Sequence, residues 1–234
     1  MRRALLTIAL VAAVALPASA SAAAPRIEQM VVFRSGDVVT KHVRTRQVSV
    51  RVGGRRCAAG EGTALAALVR SRVGPLLLRD FGSCSSRPRD SAGLFVRAIR
   101  GERNRGARGW VYKVGRRGAS AGAADPSGPF GNGRIRNGQR VTWFYCRPVG
   151  GGGCQRTLGL KAVAEAGVVR VTVRAYDDAG LPVPAAGATV RAGATTVVTA
   201  ADGTVSLALA AGRHTLVAEK DGLVPSFPER VTLP

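Results

Sequence analysis

Short runs that alternate apolar with polar residues, each closed by a glycine-bearing turn, recur along this chain and direct it towards a mainly β architecture. In Gln47–Val52 the valines 48, 50 and 52 fall on one side and Ser49 and Arg51 on the other, before the Gly53-Gly54 turn. Leu76–Phe81, Leu94–Ile99, Trp110–Val114 and Val141–Cys146 read as further strands. The one helix expected follows Thr63, a capping residue, with Leu65, Leu68 and Val69 on a common face and Gly74-Pro75 as the stop. A single helix laid on a mixed sheet is an α+β arrangement. Past Thr157 no helical period is expected. Strands are predicted at Val168–Ala175, Ala188–Arg191, Thr195–Thr199, Thr204–Leu209, Arg213–Lys220 and Glu229–Leu233. Their close spacing, with turn signals such as Asp202-Gly203 and Asp221-Gly222, predicts an all-β sandwich.

The chain's first residues read as an address. Arg2 and Arg3 precede the apolar run Ala4–Leu16, Pro17 breaks it, and Ala18-Ser19-Ala20 supplies small residues for cleavage. A signal peptide over 1–23 predicts a secreted or extracytoplasmic protein, with no transmembrane segment in the mature chain. Export gives the four cysteines their meaning, since an even count in an oxidising compartment argues for disulfides. Three connectivities are possible. Cys57–Cys84 with Cys146–Cys154 is expected, because closing two short loops costs least entropy. Without a C-x-x-C pair, and with His42 and His214 the only histidines, neither a metal nor a cofactor is expected.

Charge divides the chain. Residues 25–156 carry 26 basic and 7 acidic side chains, whereas residues 157–234 carry 7 of each. The boundary predicts two domains, 25–156 and 157–234, with a hinge near Arg156–Leu160. A strongly basic half outside a cell draws polyanions, an anionic wall polymer or polysaccharide among them. No specific nucleic-acid motif is present. The excess of arginine over lysine, 31 to 4, also suits a GC-rich coding bias, although bias alone leaves the neutral second half unexplained.

Catalysis is not expected. Two histidines are few for acid–base chemistry, and neither a G-x-S-x-G elbow nor a G-x-x-x-x-G-K-[ST] phosphate loop occurs. Were there an activity, Asp125, in the loop Asp125-Pro126-Ser127-Gly128-Pro129, would be the carboxylate to carry it.

Gly109-Trp110-Val111-Tyr112-Lys113-Val114, a long Gly/Pro loop, then Asn137-Gly138-Gln139-Arg140-Val141-Thr142-Trp143-Phe144-Tyr145 resembles the transcobalamin C-terminal-like domain of bacterial exported proteins. The resemblance runs from Gln47 to Tyr145 and implies a β-grasp fold. Gly115-Arg116 stands where that family has Asn-Gly, and Asn137-Gly138-Gln139 where it has Asp-Gly-Asp, changes that keep the turns but remove acidic groups; in transcobalamin a separate helical barrel holds the corrin, and with none expected here cobalamin binding is not implied. The turns around Gly180-Leu181-Pro182-Val183, Gly187-Ala188-Thr189-Val190, Asp202-Gly203, Gly212-Arg213 and Asp221-Gly222 resemble those of carboxypeptidase-regulatory-like, transthyretin-like sandwiches. These are commonly non-catalytic appendages, here a spacer.

Two roles remain open for Trp110, Tyr112, Trp143 and Tyr145. They could form the core, or a platform that stacks on a ligand with Lys113, Arg116 and Arg134 beside it. The function expected is a non-catalytic binding or cell-envelope-associated protein. A small-ligand carrier using the aromatic strands, or a protein-interaction module, is the alternative.

Overall fold

The computed structural model describes residues 23–150, 153–165 and 167–234, so the signal peptide expected over 1–23 lies outside the described residues but for Ala23. The architecture is mainly β. In the basic region the strands are β1 (Arg26–Val32), β2 (Val38–Arg44), β3 (Val48–Val52), β4 (Arg55–Ala59), β5 (Leu76–Asp80), β6 (Leu94–Ile99), β7 (Glu102–Arg103), β8 (Gly109–Val114), β9 (Arg117–Gly118) and β10 (Arg140–Cys146), with helix α1 at Ala64–Ser71 between β4 and β5. A five-stranded sheet has the order β2-β1-β10-β8-β9. Its central strands β1 and β10 run parallel, and every other pair is antiparallel. The hairpin β3-β4 and the three-stranded sheet β5-β6-β7 complete the region.

Helix α1 starts where Thr63 was expected to cap it, the hydroxyl accepting the Ala66 N–H at 3.2 Å. It buries Ala64–Leu68 against β1, β2 and β3. That places Ile27, Val31, Trp110, Tyr112, Val141, Trp143 and Tyr145 in one core. The opposite face of the sheet is also covered. Met30, Val32 and Phe144 pack there against Val224 and Phe227, which belong to the second region. A sheet covered on both sides has no solvent face to impose alternation. This is why β1, an inner strand of the sheet, lacks the period that marks β3.

The second region is the expected sandwich. Its strands are β11 (Thr157–Glu165), β12 (Val168–Tyr176), β13 (Pro182–Pro184), β14 (Thr189–Ala192), β15 (Thr195–Val198), β16 (Thr204–Ala208), β17 (Gly212–Glu219) and β18 (Glu229–Leu233). One sheet sets β12 between β11 on one side and β13 and β16 on the other. The facing sheet has the order β15-β14-β17-β18. Val169, Val171, Val173, Val190, Leu207, Leu216 and Ala218 fill the space between them. At Asp202-Gly203 the glycine has φ +80, and a Cβ there would stand 2.5 Å from the Val173 carbonyl oxygen, so the turn excludes any larger residue.

The stretch Arg156–Leu160, expected to hold a hinge, is strand from Thr157 onward. The strand β11 begins at Thr157 and pairs with β12 throughout its length. The join is also clamped by Leu158 N–H to Val224 C=O, 2.8 Å, and Val224 N–H to Arg156 C=O, 2.9 Å. Cysteine pairs join Cys57 to Cys84 and Cys146 to Cys154. Among the described residues no helix is long and apolar enough to cross a membrane.

Candidate functional site

The aromatic residues singled out in the sequence are interior. Trp110 and Tyr145 meet edge to face at 5.8 Å between ring centroids, and Tyr112 stacks on Trp143 at 5.0 Å. All four are buried, so they make core rather than an open stacking platform. The Tyr112 hydroxyl donates to the Ala121 carbonyl at 3.0 Å. Burial, with Asp125 adding a smaller effect, raises its pKa far above the ordinary tyrosine value.

Lys113, expected beside a ligand, is buried where the two regions meet. Its side chain is 1 % exposed, and its ammonium lies 3.1 Å from Asp178 Oδ1. It also donates to the carbonyls of Asp177 at 2.8 Å and Tyr176 at 3.2 Å. All three partners lie in the sandwich, which makes Lys113 a tether between the two regions. Burial lowers its pKa, and the carboxylates of Asp178 and Asp177 act against that. Arg116 stacks on Tyr176 at 4.3 Å, at the same junction. Arg134 lies elsewhere, on the loop after Pro126, whose carbonyl accepts from its Nε. Asp125 serves its turn, its carboxylate accepting the Ser127 N–H at 2.8 Å.

Four of the expected residues nevertheless border one space. A cleft of about 320 Å³ runs along the outer edge of β8, lined by Trp110, Tyr112, Lys113 and Trp143 together with Leu94 and Val96 of β6 and the Ala119–Ala123 loop. Arg116, Arg134 and Tyr145 do not reach it. The lining is mainly apolar, and the indole N–H of Trp143 has no hydrogen-bond partner among the described residues.

A second candidate escaped the sequence reading. On the outer face of the β5-β6 ladder, Phe81, Phe95 and Leu77 are 65, 42 and 39 % exposed, large values for such side chains. The rings of Phe81 and Phe95 meet edge to face at 5.8 Å, and the Arg79 guanidinium lies 4.4 Å from the Phe81 centroid. Beside them Arg55, Arg79 and Arg97 border a groove of about 270 Å³ floored by Val52, Leu77 and Leu78. One carboxylate, Asp80, answers them, 3.3 Å from Arg55. The signal was present in the strand period: Leu94, Val96 and Ala98 turn inward, which leaves Phe95 and Arg97 together outside.

No family model, curated protein or solved structure matches this chain.

Proposed function

We propose that this is an exported, non-catalytic binding protein whose basic domain takes an anionic ligand or polymer. The observation that carries the proposal is the Arg55–Arg79–Arg97 groove with Phe81 and Phe95 exposed at its side. Guanidinium groups supply charge and forked donors to phosphate, sulfate or carboxylate, and the rings supply flat contact area for sugars or polymer backbone. Asp80 neutralises one of the three cations, leaving two for a ligand.

The fold reading that accompanies this is a β-grasp domain followed by a transthyretin-like sandwich. A parallel central pair flanked by antiparallel neighbours, in the order β2-β1-β10-β8-β9 with α1 between the two halves, supports the first. Two four-stranded antiparallel sheets support the second. In this proposal the sandwich holds the basic domain at a fixed attitude towards its surroundings.

The test is titration of the oxidised chain with heparin and with polyglutamate across a salt series. Binding is expected for the native chain, weakening steeply with salt as counterions are released. Arg79→Gln with Arg97→Gln is expected to cost about tenfold in affinity and to reduce the salt slope by roughly two. Absence of binding near ~0.15 M salt, or equal binding by the double variant, refutes the proposal. The alternative, a small-ligand carrier, has the β8 cleft in its favour and predicts binding that salt barely alters.

A further inference from the structure

The cleft beside β8 is bordered by two strand edges that lack neighbours. Strand β9 reaches only Lys113 and Val114 of β8, and β7 reaches only Ala98 and Ile99 of β6. Hydrogen-bonded pairs alternate along an antiparallel ladder. Gly115 N–H bonds to Arg140 C=O across β8-β10, and Phe81 N–H bonds to Gly93 C=O beside β5-β6. By that alternation the amides of Trp110 and Tyr112 point away from β10, and those of Leu94 and Val96 point away from β5. Both sets face the cleft.

Its ends are closed in an informative way. At one end the Asn104 side chain spans the gap, its carbonyl accepting Trp110 N–H at 2.9 Å and its amide donating to Val96 C=O at 3.0 Å. A Cβ at Gly109 would stand 2.8 Å from Asn104 Cγ, so glycine there makes room for the bridge. The carboxamide does to β6 and β8 what one peptide unit of an intervening strand would do. At the other end Ala119 N–H donates to Tyr112 C=O at 3.1 Å, and Leu94 N–H donates to Ser91 C=O at 3.0 Å. Between these closures, Trp110 C=O, Tyr112 N–H, Leu94 C=O and Val96 N–H are turned away from β10 and β5 by the same alternation, and no backbone bond made outside the strand ladders reaches them.

We infer that the cleft is a strand slot, which receives a short extended peptide segment from a protein partner between β6 and β8. Backbone hydrogen bonds to both edges would hold the segment, in the manner of strand addition, once β6 and β8, which approach within 8 Å between Cα atoms, part to the roughly 9.6 Å that an intervening strand needs. Leu94, Val96, Val111 and the alanines of the 119–123 loop suit apolar side chains in its middle. Exposed Arg103, Arg105 and Arg108, around the Asn104 bridge, suit an acidic residue at that end. The slot is separate from the Arg55–Arg79–Arg97 groove and does not depend on it.

The test is selection of a displayed random library, with peptides of about nine residues, against the oxidised chain, followed by amide hydrogen exchange with the enriched peptide. Enriched sequences are expected to alternate with an acidic end, and to slow exchange at Tyr112 and Val96 by about tenfold or more. Ala121→Trp, which fills the slot from its loop, is expected to weaken the peptide by about tenfold or more. Exchange on the native chain decides the matter even if that variant folds badly. No enrichment, or enriched peptides that leave both amides exchanging as before, would overturn the inference. So would an apolar dye that occupies the cleft when no peptide does, since the occupant would then be a small molecule.

Discussion

Tyr112 and Lys113 are neighbours on β8 whose side chains point to opposite faces of the sheet, and their protonation ties stability to pH with opposite signs. Tyr112 titrates well above its ordinary value of 10.0 when folded. Its contribution is therefore complete below that value and is lost as pH rises beyond it, because the unfolded chain then sheds the proton first. Between about pH 8 and about pH 11 the native chain is expected to lose more stability in denaturant melts than Tyr112→Phe does. An equal loss in both would mean that the phenol does not report on folding. Lys113 carries a lowered pKa, so on its own it destabilises the fold at low pH, and that penalty fades as pH approaches 10.5. Asp178 offsets part of the penalty. Asp178→Asn is expected to cost about 2 kcal/mol near neutral pH, less than for a wholly enclosed pair because that carboxylate is partly exposed. Lys113→Met, which removes the charge as well, is expected to cost less than Asp178→Asn; the reverse order would show that the tether stabilises in its own right. No local pattern could have exposed this role, because Lys113 and Asp178 are distant in the chain and meet only once both regions have folded.

Among the elements, α1 and its surroundings give the plainest tests. Thr63→Ala removes the hydroxyl that accepts Ala66 N–H and donates to Gly60 C=O. It is expected to cost about 1 kcal/mol in equilibrium unfolding, with Thr63→Ser recovering most of it. The Cys57–Cys84 pair ties β4 to the loop after β5 across a separation of 27 residues. Replacing both cysteines by alanine is expected to lower stability by about 2–4 kcal/mol; no change would mean that the hairpin is already held by its packing. The sequence displayed β3, β6 and β8 because each pairs buried with polar or half-buried positions in a short run, and β10 through its run of aromatic and β-branched residues, although Val141–Cys146 are all buried. It displayed α1 through its cap and apolar face. It hid β1, whose Gln29 is buried and donates to Ser71 Oγ at 2.7 Å, so a polar letter marks an interior site. It hid β11 as well, whose outer half, from Lys161 on, is mostly exposed and carries little apolar contrast. The aromatic strands were legible as strands, while their burial depended on α1 and the sandwich covering both faces.

For the molecule as a whole, the decisive feature is the contact between basic region and sandwich. Arg140 reaches Glu28 at 2.7 Å and Glu229 at 3.3 Å, and the Met30, Val32, Phe144, Val224 and Phe227 cluster closes the apolar part of the junction. One calorimetric transition is expected for the native chain, and Phe227→Asp is expected to separate it into two. Two transitions in the native chain would show that the junction is too weak to couple the regions. Charge contrast in the sequence places an expected boundary near residue 156 but carries no information about stiffness. A neutral domain can be bound to a basic one by a few buried groups.

The parallel pairing of β1 with β10 also sets an order of events. Glu28 and Arg140 are 112 residues apart, yet their strands are adjacent at the middle of the sheet. A chain released N-terminus first therefore delivers β1 long before β10, the central strand that completes the sheet. Until β10 arrives, β1 and β2 can form only a hairpin, with Met30 and Val32 exposed and one edge open to any passing strand. Such a chain needs protection during its own delivery, and a copy cut short before residue 140 would keep one edge of β1 open with no strand to close it.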